Sequence, residues 1–326
     1  MKKIEKRLLL AAGTLTIGAL SFAASSYLLT KKLVKIALER DAAKDTPEMK
    51  KAKDQLRGYE ESEEILQMMN DGRNYLLEAD TETVSIKSYD GTELIGHFYP
   101  AKNPKRIIIA MHGWRSSWVQ DFGSIAAFWN ENDCSVLFPE QRGQGLSGGN
   151  YMGFGLMERY DCKEWIQWVK EEKNFSGPIY LAGVSMGAAT VLMASNLDLP
   201  ENVKGIIADC SYTSPHEIWK HVIENNLRIS YGLHGIIAND MCRRKIQIGS
   251  KDFSTVDAMR ENQIPTLFIH GSDDHFVPVE MTYENYKACA AEKRLLIVPG
   301  ADHGMSYFVN KEEYEKNLLQ FFSDFD

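Results

Sequence analysis

The sequence predicts an α/β protein with a mostly parallel, doubly wound sheet, on the basis of three observations. Apolar runs of strand length recur along the chain, at residues 107–111, 134–138, 179–183, 205–208, 266–270 and 294–298. The runs are nearly continuous rather than alternating, as expected for strands that are covered on both faces. Helical patterns such as residues 158–170 and 186–196 lie between them, and this alternation is typical of a parallel sheet.

A hairpin is predicted at the start of the sheet. Val84 and Ile86 alternate with polar residues, Asp90-Gly91 is a turn pair, and residues 94–99 return as a second strand. We therefore expect one large domain over residues 81–326. A helical insertion, expected to act as a lid, interrupts this domain at about 211–263. Aromatic residues in the insertion either shape a ligand pocket or simply pack the core; they are Tyr212, Trp219, Tyr231 and Phe253.

Composition excludes some classes of function. The 326 residues are 44% hydrophobic and 25% charged, which is typical of a folded globular protein. The net charge of -8 and the lack of a basic stripe argue against a nucleic-acid partner, because phosphate binding requires clustered Lys and Arg. Five widely separated cysteines include no CxxC pair, so we expect free, mostly buried thiols and no metal site.

The amino-terminal region is predicted to be a membrane anchor. Residues 8–30 contain no charged residue, and a helix of that length spans roughly 34 Å, more than the roughly 30 Å of a bilayer core. This pattern predicts an uncleaved transmembrane helix within residues 1–35 and a single-pass membrane protein. A cleaved signal peptide is the alternative, because Ala23 and Ala24 are small. Residues 36–80 are charge-rich and helical in pattern, and are interpreted as a stalk or a cover.

The sharpest motif is Gly183-Val184-Ser185-Met186-Gly187, which follows an apolar run and precedes a helical one. A GxSxG pattern arises by chance in roughly one chain in ten of this length, so its position at a strand-to-helix junction is the informative part. There a serine lies on a strained turn that exposes its hydroxyl, and the glycines relieve crowding. Ser185 is therefore the candidate nucleophile.

A serine nucleophile needs a base to accept its proton and a carboxylate to orient that base. The apolar run at 266–270 is followed by Asp273 and Asp274, and the last run, at 294–298, is followed by His303. The carboxyl ends of parallel strands meet at one edge of the sheet, so these groups are expected to lie near Ser185. Spacing alone leaves both aspartates open as the acid.

From about residue 80 to the end, the chain resembles the α/β-hydrolase superfamily. The segment HGSDDHFVP resembles the pattern H-G-x-x-D-x-x-V-P, and GADHG resembles the segment that carries the catalytic histidine. The resemblance implies an α/β-hydrolase fold with Asp274 as the acid and His303 as the base. His112-Gly113-Trp114 resembles the H-G-x loop, which implies an oxyanion hole made by the backbone amides of Trp114 and Met186.

A second segment, residues 139–147, resembles the turn D-x-R-G-x-G-x-S, with Glu140 where aspartate is usual. We interpret this turn as structural support in which Arg142 forms local ion pairs.

These features predict a membrane-anchored serine hydrolase that cleaves a carboxylic ester or thioester through an acyl-serine, without metal or organic cofactor. Its expected partners are a small acyl substrate and a membrane. Resemblance to anchored bacterial hydrolases favours an extracytoplasmic domain, whereas the free cysteines favour a reducing compartment. A serine peptidase of the same fold would use the same mechanism. A catalytically silent, membrane-tethered binding module is the alternative from another class.

Overall fold

The structure, a computed structural model, describes residues 21–43 and 62–326. An eight-stranded sheet runs through the described chain in the order β1-β2-β4-β3-β5-β6-β7-β8. The β1–β2 and β2–β4 pairs are antiparallel and the others are parallel. This confirms the predicted amino-terminal hairpin and mostly parallel sheet. The strands are β1 (Glu82–Lys87), β2 (Glu93–Tyr99), β3 (Arg106–Met111), β4 (Cys134–Pro139), β5 (Ile179–Val184), β6 (Val203–Asp209), β7 (Thr266–Gly271) and β8 (Lys293–Val298).

Helices cover both faces of the sheet, as a doubly wound fold requires. One face packs against Trp129 and Phe322, and the other packs against Trp165 and Leu192. Burial on both faces explains why β3 and β4 are apolar throughout. The helices are α1 (residues 21–38), α2 (Glu63–Glu78), α3 (Trp118–Glu131), α4 (Glu158–Glu172), α5 (Met186–Ala194), α6 (Pro215–His221), α7 (Gly232–Ile246), α8 (Thr255–Glu261), α9 (Val279–Ala288), α10 (Ser306–Val309) and α11 (Lys311–Phe325).

Helix α2 lies directly on α3, and the interpretation of residues 36–80 as a stalk or a cover stays a prediction. A Cβ added to Gly72 would lie 2.5 Å from Cα of Ser124, and one added to Gly123 would lie 2.7 Å from the backbone of Gly72. The two glycines allow the helix backbones to meet, and Leu76 is fully buried in the core beside them. Residues 44–61 of the predicted stalk or cover lie outside the described residues.

The turn at residues 139–147 contains the predicted ion pairs. Arg142 is almost fully buried and lies 2.6 Å from Asp161 and 2.8 Å from Asp90. Glu140, which stands where aspartate is usual, pairs with His97 at 2.8 Å. The longer side chain therefore still has a buried partner, and the turn is supported as expected.

The predicted single-pass membrane localisation is wrong. Residues 8–20 of the predicted span lie outside the described residues, and in the ranges 21–43 and 62–326 no helix is long and apolar enough to cross a membrane. The described end of the span belongs to α1, in which every fourth residue faces the protein: Ser26, Thr30, Val34 and Leu38 are each at most 4% exposed. This face packs on the domain, and within the described part of the predicted span it consists of the polar residues Ser26 and Thr30, which an average hydropathy does not reveal. The predictions of a membrane partner and of an extracytoplasmic domain depended on this span, so they are not supported either.

The insertion between β6 and β7 contains α6, a π-helical turn (Val222–Asn226), α7 and α8. Its aromatic residues Tyr212, Trp219 and Tyr231 belong to a buried apolar cluster that also includes Leu38 and Met186. The insertion is therefore packed against α1 and α5. Its role as a lid stays a prediction.

Candidate active site

Ser185 occupies a strained turn between β5 and α5. Its φ of 56° and ψ of -114° are unfavourable for a non-glycine residue. Its side chain makes no capping hydrogen bond to α5, so the hydroxyl remains available. The flanking glycines are required for space: a Cβ on Gly183 would lie 2.3 Å from the backbone of Gly187, and one on Gly187 would lie 1.8 Å from the carbonyl oxygen of Met111.

Three predicted site residues form one chain of hydrogen bonds. Nε2 of His303 lies 2.9 Å from Oγ of Ser185, and Nδ1 lies 2.7 Å from Oδ2 of Asp274. An ionised carboxylate only accepts hydrogen bonds, so Nδ1 donates to Asp274 and Nε2 is left to accept from the Ser185 hydroxyl. Asp273, the other aspartate of the loop, is exposed and bonds to Ser272 instead.

Asp274 accepts hydrogen bonds from its own loop after β7, from β7 itself and from His303. Its Oδ1 accepts from the amides of Phe276 at 2.9 Å and Val277 at 2.8 Å. Its Oδ2 accepts from Nε2 of His270 at 3.0 Å as well as from His303. The side chain of Asp274 has no solvent exposure, so the carboxylate is fixed by four hydrogen bonds and can hold the His303 ring in one orientation.

Burial raises the pKa of Asp274, but the positive charge of His303 and hydrogen bonds from His270 and His303 outweigh it, so the pKa lies well below its usual range. Burial lowers the pKa of His303, but the charge of Asp274 and contact with the Cys210 thiol outweigh it, so the pKa lies well above 6.5. A histidine with a raised pKa is a stronger proton acceptor, which suits a general base.

The loop after β3 lies beside the nucleophile. A Cβ added to Gly113 would lie 3.6 Å from Cβ of Ser185. His112 accepts from the Gln141 amide through Nε2 at 3.1 Å, so Nδ1 carries the proton and donates to the Gly113 carbonyl at 2.8 Å. The N–H of a trans peptide points opposite to its carbonyl, so the Trp114 N–H points away from His112.

Neither predicted oxyanion donor is used elsewhere within the described chain. No described acceptor bonds to the backbone N–H of Trp114 or Met186. The amides of the neighbouring residues are used: Gly113 donates to Asp121 at 2.7 Å and Arg115 donates to Gln144 at 2.6 Å. The two unused N–H groups are thus available to a ligand at Ser185.

A cleft of about 400 Å³ opens at Ser185 and His303. Its walls come from parts of the chain that are distant in sequence. The apolar lining residues are Ile65 and Met69 of α2, Trp114, Val184, Phe276, Met305, and Phe308 and Val309 of α10. The cleft is of a size that accepts a small molecule.

Comparisons with known proteins agree with the fold described above. A family model described as serine aminopeptidase, S33 matches residues 102–229. The Pyrococcus furiosus esterase Pf2001 has a similar structure, with a TM-score of 0.62 and 21% identity over 76% of this chain and 94% of that one. The chain has the α/β-hydrolase fold.

Two further matches cover a similar share of this chain. The uncharacterized protein YqkD of Bacillus subtilis (strain 168) is 29% identical over 245 residues, which cover 72% of this α/β-hydrolase and 77% of that protein. The structure of Est1E from Butyrivibrio proteoclasticus with ferulic acid has a TM-score of 0.58 and 18% identity, covering 74% of this chain and 99% of that one.

Donor atoms of Cys210, Asp274 and His303 lie within 4.8 Å of one another, the one group of potential metal ligands among the described residues of this α/β-hydrolase. A zinc ion needs about 2 Å to nitrogen and about 2 Å to oxygen. Nδ1 of His303 and Oδ2 of Asp274 are only 2.7 Å apart, so an ion between them would have to separate them. Their spacing is that of a hydrogen bond.

Sequence reasoning missed three contacts of the site. It gave no role to His270, although this residue bonds directly to Asp274, and it did not associate Cys210 with His303. It assigned only the backbone amide of Trp114, whereas the indole N–H of this residue donates to the Ala37 carbonyl at 2.9 Å. Only the placement of His270, four residues before Asp274 at a strand end, was a usable signal.

Proposed function

We propose that this α/β-hydrolase cleaves a carboxylic ester or thioester through an acyl-serine intermediate. The observation that carries the proposal is the continuous hydrogen-bonded chain from Ser185 through His303 to Asp274, which opens into the cleft. The two unused N–H groups of Trp114 and Met186 support it, because an acyl transfer needs donors for a developing oxyanion.

In the first half of the reaction, Oγ of Ser185 attacks the acyl carbon while Nε2 of His303 takes its proton. The carbonyl π electrons move to oxygen, and the amides of Trp114 and Met186 stabilise the resulting charge. When the carbonyl re-forms, the bond to the alcohol or thiol breaks, and His303 gives its proton to that leaving group. Asp274 stabilises the transient imidazolium.

In the second half, water attacks the acyl-serine and His303 again takes the proton. Collapse of the second tetrahedral intermediate breaks the bond to Oγ, and His303 returns the proton to Ser185. The products are a carboxylic acid and an alcohol or thiol, and the enzyme is regenerated.

A serine peptidase is the second candidate, because the matching family model is described as an aminopeptidase. A free α-amino group would need a carboxylate in the cleft. Asp121 is bonded to the amide of Gly113 and to Ser116, and Asp302 is bonded to the amides of His275 and His303. Because both cleft aspartates support loops, an ester or thioester substrate is favoured.

The test is a substrate panel that contains p-nitrophenyl esters from acetyl to dodecanoyl, acyl thioesters and aminoacyl p-nitroanilides. We expect turnover of esters and thioesters that is lost in Ser185→Ala and kept in Ser195→Ala, a control at the other end of α5. Turnover of the anilides in preference to the esters would select the peptidase. A well-folded protein that turns over nothing would favour a binding module.

A further inference from the structure

The carboxyl-terminal end of α1 is bonded to side chains of the loop after β3. The last carbonyls of a helix have no partner within the helix. In α1, the carbonyl of Ile36 accepts from Nη2 of Arg115 at 2.7 Å, and that of Ala37 accepts from the indole N–H of Trp114 at 2.9 Å. The loop that carries a proposed oxyanion donor therefore also completes the hydrogen bonds of a distant helix.

Arg115 continues these contacts beyond the helix. Its Nη2 also donates to the Glu39 carbonyl at 2.6 Å, and Nη1 donates to the Arg40 carbonyl at 3.4 Å. Its backbone φ of 52° is unfavourable for a non-glycine residue. Burial lowers the pKa of Arg115, and no described carboxylate forms an ion pair with it. The negative end of the α1 dipole is the group that compensates this charge.

Helix α1 is in turn fixed to the insertion. Oγ1 of Thr30 lies 2.7 Å from Nδ1 of His234, and Oε1 of Glu39 lies 2.6 Å from Nζ of Lys245. His234 and Lys245 are at opposite ends of α7. Because α1 is bound at Thr30 and again at Glu39, directly after its last residue, its carbonyls are a fixed reference for the loop. The amide of Met152 also donates to the last carbonyl of α1 at 2.8 Å.

We propose that α1 is a positioning element of the active site, whose carboxyl-terminal carbonyls hold the side chains of Trp114 and Arg115 and so orient the Trp114 N–H as an oxyanion donor. This inference rests on the hydrolase activity proposed above. His112 fixes the carbonyl of the Gly113–Trp114 peptide. The carbonyls of α1 fix the side chains of Trp114 and Arg115, which follow that peptide. With the side-chain contacts to α1 removed, the loop keeps its bonds to His112, Asp121 and Gln144 but loses its attachment to the helix, and the Trp114 N–H can turn away from a ligand oxygen at Ser185.

The test uses the full-length enzyme with two variants. Trp114→Phe keeps a ring but removes the indole donor, and Arg115→Met keeps side-chain length but removes the guanidinium. Arg243→Met is the control, because Arg243 is an exposed arginine of α7 that pairs with Asp252. The measurements are kcat and KM for the best ester, the Ki of a trifluoromethyl ketone that forms a tetrahedral oxyanion, and the Tm.

Loss of a whole oxyanion donor lowers kcat by about 100- to 1,000-fold, so we expect a misaligned donor to lower it by about 10-fold. KM should change by less than about two-fold, since the ground state does not need the hole. The Ki of the ketone should rise in proportion to the fall in kcat/KM, and Arg243→Met should match the wild type.

A kcat and a ketone Ki that stay at wild-type values in both variants would overturn the positioning role, whether or not the Tm falls, because a purely structural contact affects stability alone. A wild-type enzyme that hydrolyses no acyl substrate would overturn the proposed function, and this inference with it. The two failures are thus distinguished by the wild-type measurement.

Discussion

Replacement of Asp274 by asparagine separates the roles of the two adjacent aspartates. Oδ2 of Asp274 accepts from His303 and His270, and Oδ1 accepts from two backbone amides. If the asparagine oxygen keeps the backbone bonds, its NH2 group faces Nδ1 of His303, which must then accept. Nε2 carries the proton in that tautomer and cannot take one from Ser185.

The flipped amide is no better for the enzyme. Its NH2 group would face the N–H groups of Phe276 and Val277, leaving buried donors unpaired at about 1–3 kcal/mol each. The first orientation is therefore expected, and the wrong histidine tautomer lowers kcat by about 10,000-fold. That factor corresponds to about 5.5 kcal/mol of transition-state stabilisation.

The assay is steady-state hydrolysis of the best p-nitrophenyl ester by Asp274→Asn and Asp273→Asn, with the Tm of each variant. Asp273 is exposed, its side chain bonds to Ser272, and its backbone amide donates to the Ala301 carbonyl, so Asp273→Asn should retain activity within about two-fold, as is usual for exposed positions. An Asp274→Asn variant that retains more than about a tenth of the wild-type kcat, or an Asp273→Asn variant that loses more activity than Asp274→Asn, would refute this role of Asp274.

Three other predictions concern the base His303, the cleft and the strained turn at Ser185. Because only neutral His303 can accept the serine proton and its pKa is raised, kcat/KM should increase with pH along a limb that lies above pH 6.5; a midpoint at or below 6.5 in a pH–rate profile would contradict the assignment. Met69→Trp should fill part of the cleft and shift the preferred ester to a shorter acyl chain, and an unchanged chain-length profile would show that Met69 does not contact the acyl group. Gly187→Ala should abolish activity and lower the Tm, since its Cβ would lie 1.8 Å from the Met111 carbonyl oxygen. Gly232→Ala, whose nearest neighbour is 4.0 Å away, should do neither.

Local sequence patterns predicted the fold because burial on both faces determines the composition of its strands. The apolar runs at 107–111 and 134–138 became β3 and β4, each buried along its whole length. The Asp90-Gly91 turn joins β1 to β2, with Gly91 at a φ of 82°. The apolar runs and the turn are patterns of adjacent residues, so they can be recognised in the sequence alone.

The positions of Ser185, Asp274 and His303 were predictable for a related reason. Each follows a strand at the same edge of the sheet, so topology alone brings them together. The choice of Asp274 over Asp273 needed the family resemblance, because the two residues differ by a single step in one loop. In the structure it is Asp274 that points into the protein.

The interpretation of the amino-terminal helix failed because its packing depends on residues far away in sequence. Trp114 and Ala37 are 77 positions apart, and Thr30 and His234 are 204 apart. A hydropathy window registers an uncharged stretch but not the face along which Ser26 and Thr30 are buried. The cleft residues of α2, such as Met69, could not be predicted either, because they meet the other cleft residues only in the folded chain.

The most direct test of the account is covalent labelling of the purified protein with a fluorophosphonate, followed by intact mass, in the wild type, Ser185→Ala and His303→Ala. We predict one adduct on the wild type, none on Ser185→Ala and strongly slowed labelling of His303→Ala, because the hydroxyl needs its base. A folded wild-type protein that takes no label, or a Ser185→Ala variant that still takes it, would contradict the claim that Ser185 is an activated nucleophile.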